Sequence, residues 1–212
     1  DLLNAHLSAN VSLDLPDEPV FLTAELMDAS GKAVDTFTEP AQADLRFNRL
    51  IAHPNLWSAE EPNLYTLRLT LADAAANVLE IAQTEIGFRR FEIRNGVLQL
   101  NGRRILLHGV NRHEFGHRAG RAIGEAEMLW DIQTMKRNSI NAVRTCHYPN
   151  NSLWYRLCDQ YGIYVIDETN LETHGTWMKM GRVDPTNAVP NDNAEWLPAC
   201  LDRAQSLLER DK

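Results

Sequence analysis

Cysteine is scarce: Cys146, Cys158 and Cys200 are the only three in 212 residues. Their spacing fits neither a disulfide framework nor a cysteine-based metal motif, so a reduced compartment is expected. Long hydrophobic runs are lacking too. None approaches the ~18 residues of a membrane-spanning helix, and no membrane partner is expected. Basic charge is in deficit, with 21 Lys and Arg against 29 Asp and Glu, a formal net charge of −8. The deficit is uneven: residues 1–88 hold 14 acids and 4 bases, whereas residues 89–212 hold 15 acids and 17 bases. The first part would repel phosphate and the second is too balanced for a basic stripe, so nucleic acid is not an expected partner. There is no internal repeat and no low-complexity segment. With 44% hydrophobic and 24% charged residues, the chain has ample material for a core and is not disordered. Its length allows one large domain or two small ones, and the charge shift suggests a boundary near residue 88.

Residues 1–88 have the period of antiparallel strands. Every odd position from Leu3 to Leu15 is apolar (Leu3, Ala5, Leu7, Ala9, Val11, Leu13, Leu15), which buries one face and wets the other. Leu22, Ala24 and Leu26 repeat the pattern before the turn Asp28-Ala29-Ser30-Gly31. Further strands are expected over 45–51, 65–71 and 78–86. Short strands with turn signals and no helical period indicate a sandwich.

Residues 89–212 alternate strand and helix. Apolar runs over 105–110, 141–146 and 163–166 read as strands, the last continuous as for a parallel strand covered on both sides. Between and after them, 125–138, 152–161 and 196–211 have helical periodicity. Gly162 is placed to stop the second helix. Such alternation is the pattern of an α/β sheet or barrel.

Each expected strand ends in polar residues: Asn111-Arg112-His113-Glu114, then Arg144-Thr145-Cys146-His147-Tyr148, then Asp167-Glu168-Thr169-Asn170-Leu171-Glu172-Thr173-His174-Gly175. In α/β barrels the C-terminal strand ends carry the chemistry. Three such clusters at equivalent points suggest one polar cavity.

These segments resemble a known family. Asn141-Ala-Val-Arg-Thr-Cys-His-Tyr-Pro-Asn150, with Leu153-Trp154-Tyr155 and Asp159-Gln-Tyr-Gly162, resembles the signature of family 2 glycoside hydrolases. Gly109-Val-Asn-Arg-His-Glu114, Asp167 to Gly175 and Leu56-Trp-Ser-Ala-Glu-Glu-Pro-Asn-Leu-Tyr65 are similar to the bacterial β-galactosidase branch of that family. The resemblance implies a multi-domain β plus α/β architecture. Residues 1–88 would form an immunoglobulin-like β-sandwich, and 89–212 a linking strand and the first three βα units of a (β/α)8 TIM barrel.

The resemblance also implies roles. His113 and His147 match positions that contact the galactosyl ring; on residue type alone they could equally hold loops. Arg144 matches an arginine that steadies the nucleophilic carboxylate, and its plainer alternative is an ion pair with Asp167 or Glu168. Glu172 and His174 match a Mg²⁺-binding pair, with Na⁺ a further candidate ion in the complete enzyme. On extended chain, residues two apart point the same way, but a Glu–His hydrogen bond without metal explains the spacing more simply. Adjacent strand residues face opposite ways, so Asp167 and Glu168 are not expected to form an acid/base pair. Asn111 and Arg112 are assigned structural shaping, Trp57 and Cys158 the core, and Trp177 either a sugar-stacking wall or a loop anchor.

Retaining glycosidases need two carboxyl groups about 5–5.5 Å apart. In the family both follow later strands, in motifs that do not occur in this chain. The acid/base and nucleophile glutamates are therefore expected beyond Lys212, and no residue of the chain is a candidate for either. The expectation is a fragment of a cytoplasmic, homo-oligomeric retaining β-galactosidase that is inactive alone and exposes apolar strand faces and a sheet edge. The alternatives are a fragment of a β-glucuronidase and a non-catalytic carbohydrate-binding or structural module.

Overall fold

The computed structural model describes residues 2–184, 188–191 and 193–211. Lys212, the position beyond which the catalytic glutamates are expected, lies outside the described residues. Two compact units divide the chain, one ending at Leu106 and the other beginning at Leu107.

In the first unit, alternation of apolar and polar residues makes the strands. They are β1 (Asn4–Ser12), β2 (Val20–Met27), β3 (Ala33–Pro40), β4 (Asp44–Ala52), β5 (Tyr65–Asp73) and β6 (Val78–Ile86). A four-stranded antiparallel sheet has the order β3-β2-β5-β6, and β1 pairs antiparallel with β4. The two sheets share one core: Leu7, Leu45, Phe47 and Ile51 from the pair, Leu22, Ala24, Leu26, Tyr65 and Leu67 from the larger sheet, and Phe88. This is sheet-on-sheet packing, as the alternation predicts. Each fully buried Leu contributes about 1.5–3 kcal/mol. Trp57 is buried, in line with its expected core role. β3 is an addition to the expected strands: it is exposed over most of its length, and Ala-Val-Asp-Thr-Phe-Thr-Glu-Pro gives no clean alternation to read.

Three short antiparallel strands complete this unit: β7 (Phe91–Arg94), β8 (Val97–Leu100) and β9 (Arg103–Arg104). They correct the expectation of a single linking strand after residue 88. They also lie with the first unit, beyond the boundary suggested by charge.

In the second unit, β10 (Gly109–Arg112), α1 (Glu125–Arg137), β11 (Ala142–Thr145), α2 (Ser152–Tyr161) and β12 (Tyr164–Ile166) follow one another. The strands form a parallel sheet in the order β10-β11-β12. Met128, Ile132 and Met135 of α1 and Trp154, Leu157 and Cys158 of α2 are buried with Val143 and Ile163 in one core. Glu127 accepts the Gly124 N–H at 3.0 Å and so caps α1. Asn151 Oδ1 accepts the Leu153 N–H at 2.9 Å at the start of α2. Gly162, at φ 71°, ends α2 in the left-handed conformation that a Cβ would strain.

The first parallel strand begins at Gly109, not at Ile105. Leu106 and Leu107 are exposed, and pairing starts where a glycine allows close approach: a Cβ on Gly109 would lie 3.3 Å from that of Ala142. β12 is not covered on both sides as expected; it is an outer strand, and Ile166 is 49% exposed. Beyond it come α3 (His174–Trp177), the two-residue strands β13 (Met178–Lys179) and β14 (Arg182–Val183), and α4 (Leu197–Asp211). A 3₁₀ turn at Ala194–Trp196 leads into α4, so the predicted start at 196 is one residue early. α4 has no buried residue, and its stripe Leu197, Leu201 and Leu208 is exposed. Part of the predicted loop 175–195, namely 185–187 and 192, lies outside the described residues.

Candidate functional site

The C-terminal ends of the parallel strands bring three of the expected residues together. Parallel pairing sets Asn111 beside Arg144, and Arg144 beside Ile166. His113 follows β10 directly, and His147 lies two residues beyond β11. Their rings stand edge to face with centroids 5.5 Å apart.

Arg144 is the hub. Its Nη2 donates to Glu168 Oε1 at 2.8 Å and stands 2.7 Å from Oε2, an ion contact poorly angled for a second hydrogen bond. His147 Nδ1 lies 3.1 Å from the same nitrogen and 3.2 Å from Glu168 Oε1. Arg144 Nη1 reaches Asn111 Oδ1 at 3.4 Å. Of the two ion pairs open to Arg144, the one with Glu168 forms; both side chains are about one-third exposed, so it is not a buried pair.

Asp167 faces other groups. Its Oδ1 accepts from Thr145 Oγ1 at 2.7 Å, from Tyr155 O–H at 2.8 Å and from the Glu168 N–H at 3.0 Å. Burial, with the neighbouring Asp211 carboxyl adding to it, pushes its carboxyl above the ordinary range. Burial likewise raises the Tyr155 hydroxyl and the Cys158 thiol. Asp167 and Glu168 thus hold different partners, as expected of neighbours that face opposite ways.

A cavity of about 470 Å³ opens beside this cluster, lined by Glu114, Arg121, His147, Tyr148, Asn170 and Glu172. Tyr148 organises one wall. Its hydroxyl accepts the Glu114 N–H at 3.2 Å and lies 3.4 Å from His113 Nδ1, while Arg121 stacks on its ring at 4.3 Å. Glu114 Oε1 in turn accepts the Asn151 N–H at 3.0 Å.

Glu172 reaches this cavity, but His174 is arranged differently from the expectation. The chain is not extended there, because His174 opens α3. Glu172 Oε1 accepts the His174 backbone N–H at 2.9 Å, and the His174 ring packs on Trp177 with centroids 4.4 Å apart. Glu172, Glu114 and Asn170 bring oxygen atoms, the donors Mg²⁺ favours, to the lining of this cavity.

Arg112, assigned to structural shaping, is buried. It donates to Asp131 at 2.8 Å and to Asn150 Oδ1 at 2.7 Å, and its guanidinium lies 3.6 Å from the centre of the Trp154 ring. Tyr148, Glu168 and Asn170 belong to the strand-end clusters expected to form one polar cavity, though the expectation gives no role to Tyr148 or Asn170; Arg121 is not among the expected residues. Arg121 sits in a loop with no periodic signal.

Residues 91–212 match the model for glycosyl hydrolases family 2, TIM barrel domain, and residues 4–89 match a second model of glycosyl hydrolases family 2. The chain belongs to glycosyl hydrolase family 2. Residues 4–89 carry the family's sandwich and residues 91–212 the start of its TIM barrel domain, so β7 to β9 match the barrel model although they group with the first unit. This family 2 chain is 52% identical over 199 residues to a β-galactosidase of Halalkalibacterium halodurans, covering 92% of the chain and 19% of the relative. It is 47% identical over 213 residues to a β-galactosidase of Clostridium acetobutylicum, covering all of the chain and 24% of the relative. The chain therefore spans about a fifth to a quarter of the length of these curated relatives. Among solved structures it resembles a β-glucuronidase of Bifidobacterium dentium complexed with coumarin-3-O-glucuronide. That match has a TM-score of 0.73 and 25% identity, over 78% of this chain and 27% of the other.

Proposed function

We propose that this family 2 chain is part of a retaining β-galactosidase acting on terminal β-D-galactosides of the lactose type. The observation that carries the reading is the convergence of His113, His147 and the Arg144–Glu168 pair at the ends of adjacent parallel strands. The identity to named β-galactosidases, about twice that to the β-glucuronidase structure, supports the sugar class.

On this reading the sandwich is immunoglobulin-like, and the second unit supplies the first three βα units of a (β/α)8 barrel. His113 and His147 hydrogen-bond the sugar hydroxyls, contacts that tighten as the ring flattens toward an oxocarbenium-like state. Arg144 is a positioning residue, oriented by Glu168 so that its remaining N–H groups can steady a nucleophilic carboxylate. No carboxylate of this chain is assigned as acid/base or nucleophile; in the complete enzyme both would come from sequence beyond Lys212. Glu172 would hold Mg²⁺ as the oxygen donor at the cavity, and His174, the second expected ligand, would have to turn from Trp177 to join it. The ion would supply fixed positive charge beside the sugar and the catalytic carboxylates. Na⁺ is a further candidate in the complete enzyme. A cytoplasmic homo-oligomer is proposed; the three unpaired cysteines support a reducing location.

The test compares the isolated chain with the complete gene product, using o-nitrophenyl β-galactoside and the matching glucuronide. The complete protein should hydrolyse the galactoside by at least a hundredfold over the glucuronide, and the isolated chain should hydrolyse neither. Turnover by the isolated chain that disappears in His113→Ala would overturn the assignment of catalytic groups. Preference for the glucuronide would favour the second reading, a β-glucuronidase, which the Bifidobacterium dentium structure supports.

A further inference from the structure

At the cavity, His113 and His147, read above as sugar contacts, stand together with Cys146, which the glycosidase reading does not use. One potential ligand atom from each of His113, Cys146 and His147 lies within 4.8 Å of the others. Cys146 is buried, His147 half-buried and His113 exposed, so the three grade from the interior to the surface. We propose that these residues form a binding site for Zn²⁺, distinct from the oxygen-rich surroundings of Glu172.

The donor chemistry decides the ion class. Two imidazoles and a thiolate suit zinc and poorly suit Mg²⁺, which favours oxygen. Three protein ligands with the fourth position open is a common zinc arrangement.

The surroundings favour the same ion. His147 Nδ1 lies 3.2 Å from Glu168 Oε1, and His113 Nδ1 lies 3.4 Å from the Tyr148 hydroxyl. Each imidazole can therefore bind metal through its other ring nitrogen while Nδ1–H is held by an oxygen. For His147 this would be the carboxylate–histidine–zinc relay that fixes the tautomer and raises ligand basicity, with Arg144 Nη2, a donor 3.1 Å from the same Nδ1, directing its hydrogens to Glu168 instead. The nearby Arg144 charge opposes a cation, but Glu168 neutralises it at 2.7 Å. The cluster must tighten: Zn–N of about 2.0–2.1 Å and Zn–S of about 2.3 Å put tetrahedral ligands roughly 3.5 Å apart. The exposed His113 can supply that movement of about 1 Å by side-chain rotation.

Binding exchanges waters on the ion for two imidazoles and the Cys146 thiolate, releasing the thiol proton to solvent. No oxidant or reductant is involved. Because the site would engage His113 and His147, bound zinc and a bound sugar would exclude one another. The metal site itself rests on the three side chains and not on the sugar reading.

The experiment titrates the 212-residue chain with Co²⁺ as a spectroscopic probe, then with Zn²⁺. A thiolate-to-cobalt charge-transfer band should saturate at one ion per chain and be displaced by Zn²⁺. Cys146→Ser should abolish the band, whereas Cys200→Ser should leave it unchanged. The surface variant His113→Gln, which is not expected to disturb folding, should weaken Zn²⁺ binding at least tenfold by competition with a chromophoric chelator. Circular dichroism checks each fold. If Cys146→Ser does not fold, the His113→Gln result decides. No band in the native chain, a band that survives Cys146→Ser, or unchanged affinity in His113→Gln would each overturn the site.

Discussion

Replacing Arg112 tests whether a buried charge holds the end of β10, and with it His113. The Arg112 side chain is 6% exposed and that of its partner Asp131 is 28% exposed. Arg112→Met keeps much of the volume but removes three interactions. The charged hydrogen bond to Asn150 is worth about 1.5–3 kcal/mol, and Asn150, itself 2% exposed, keeps an unpaired oxygen. Stacking on Trp154, largely out of water, adds about 1–2 kcal/mol. The ion pair with Asp131 adds less, because water can rehydrate a partly exposed carboxylate. Against these losses stands the cost of burying a guanidinium, which the Met variant no longer bears. Breaking a buried pair from one side costs about 3–5 kcal/mol, and the exposure of Asp131 puts this case near the lower end, at about 3 kcal/mol.

The two units need not unfold together, so a global melting curve is the wrong measurement. Native-state hydrogen exchange on α1 and α2 reports the second unit alone. Since each 1.4 kcal/mol is tenfold, their slowest amides should exchange about 150-fold faster in Arg112→Met. Arg112→Lys should lie about halfway, because a point charge cannot serve Asp131 and Asn150 through one planar fork. Acceleration of less than about fivefold in the Met variant would refute the reasoning. So would a Lys variant as damaged as Met, since that would locate the effect in shape and not in charge.

Gly162→Ala should cost about 1–2 kcal/mol by forcing a Cβ into the left-handed region that ends α2, read as faster exchange of the α2 amides. Asp167 has a raised carboxyl pKa, so its contribution to stability is full below the unfolded value of about 3.9 and is lost as pH rises through the higher folded value. The slowest α2 amides, corrected for intrinsic rate, should thus lose protection from pH 4 toward neutrality in the native chain, and Asp167→Asn should flatten that slope. An equal slope in both would rule out Asp167 as its source. The exposed apolar residues of α4 predict self-association, so light scattering should give masses above 24.1 kDa; a monodisperse monomer would contradict this.

The elements legible in the sequence are those whose burial is one-sided. In β1 the half-buried and buried positions are Ala5, Leu7, Ala9 and Val11, the odd residues that alternation selects. In α2 the buried Trp154, Leu157 and Cys158 lie at helical spacing, and its predicted limits coincide with those observed. Apart from β6, expected over 78–86 although exposed at all but its last position, the mostly exposed strands β3, β7 and β9 are not legible, nor is β8, which fully buries only Leu100 in four residues. For such strands, pairing partners far along the chain decide the structure, and period carries no information about partners. The same limit governs the site. His113, His147 and Arg144 are readable from their place after apolar strands, whereas the His174 ring position depends on a helical turn that four residues cannot announce.

Charge balance explains why Glu168, and not its neighbour, became part of the site. Parallel register sets Arg144 beside Ile166, two residues before Glu168, and the guanidinium needs an anion within reach. Asp167 is engaged elsewhere: three donors, from Thr145, Tyr155 and the Glu168 N–H, hold its Oδ1. Glu168, one residue on, takes the arginine and holds His147 on the same carboxylate. The alternation of a strand end thus separates a carboxyl that knits the sheet to α2 through Tyr155 from one that orients the polar groups at the cavity. Exchanging the two, by Asp167→Glu with Glu168→Asp, would keep composition and charge. It should nonetheless release Arg144, because the shorter carboxylate would fall about 1.5 Å short of the guanidinium.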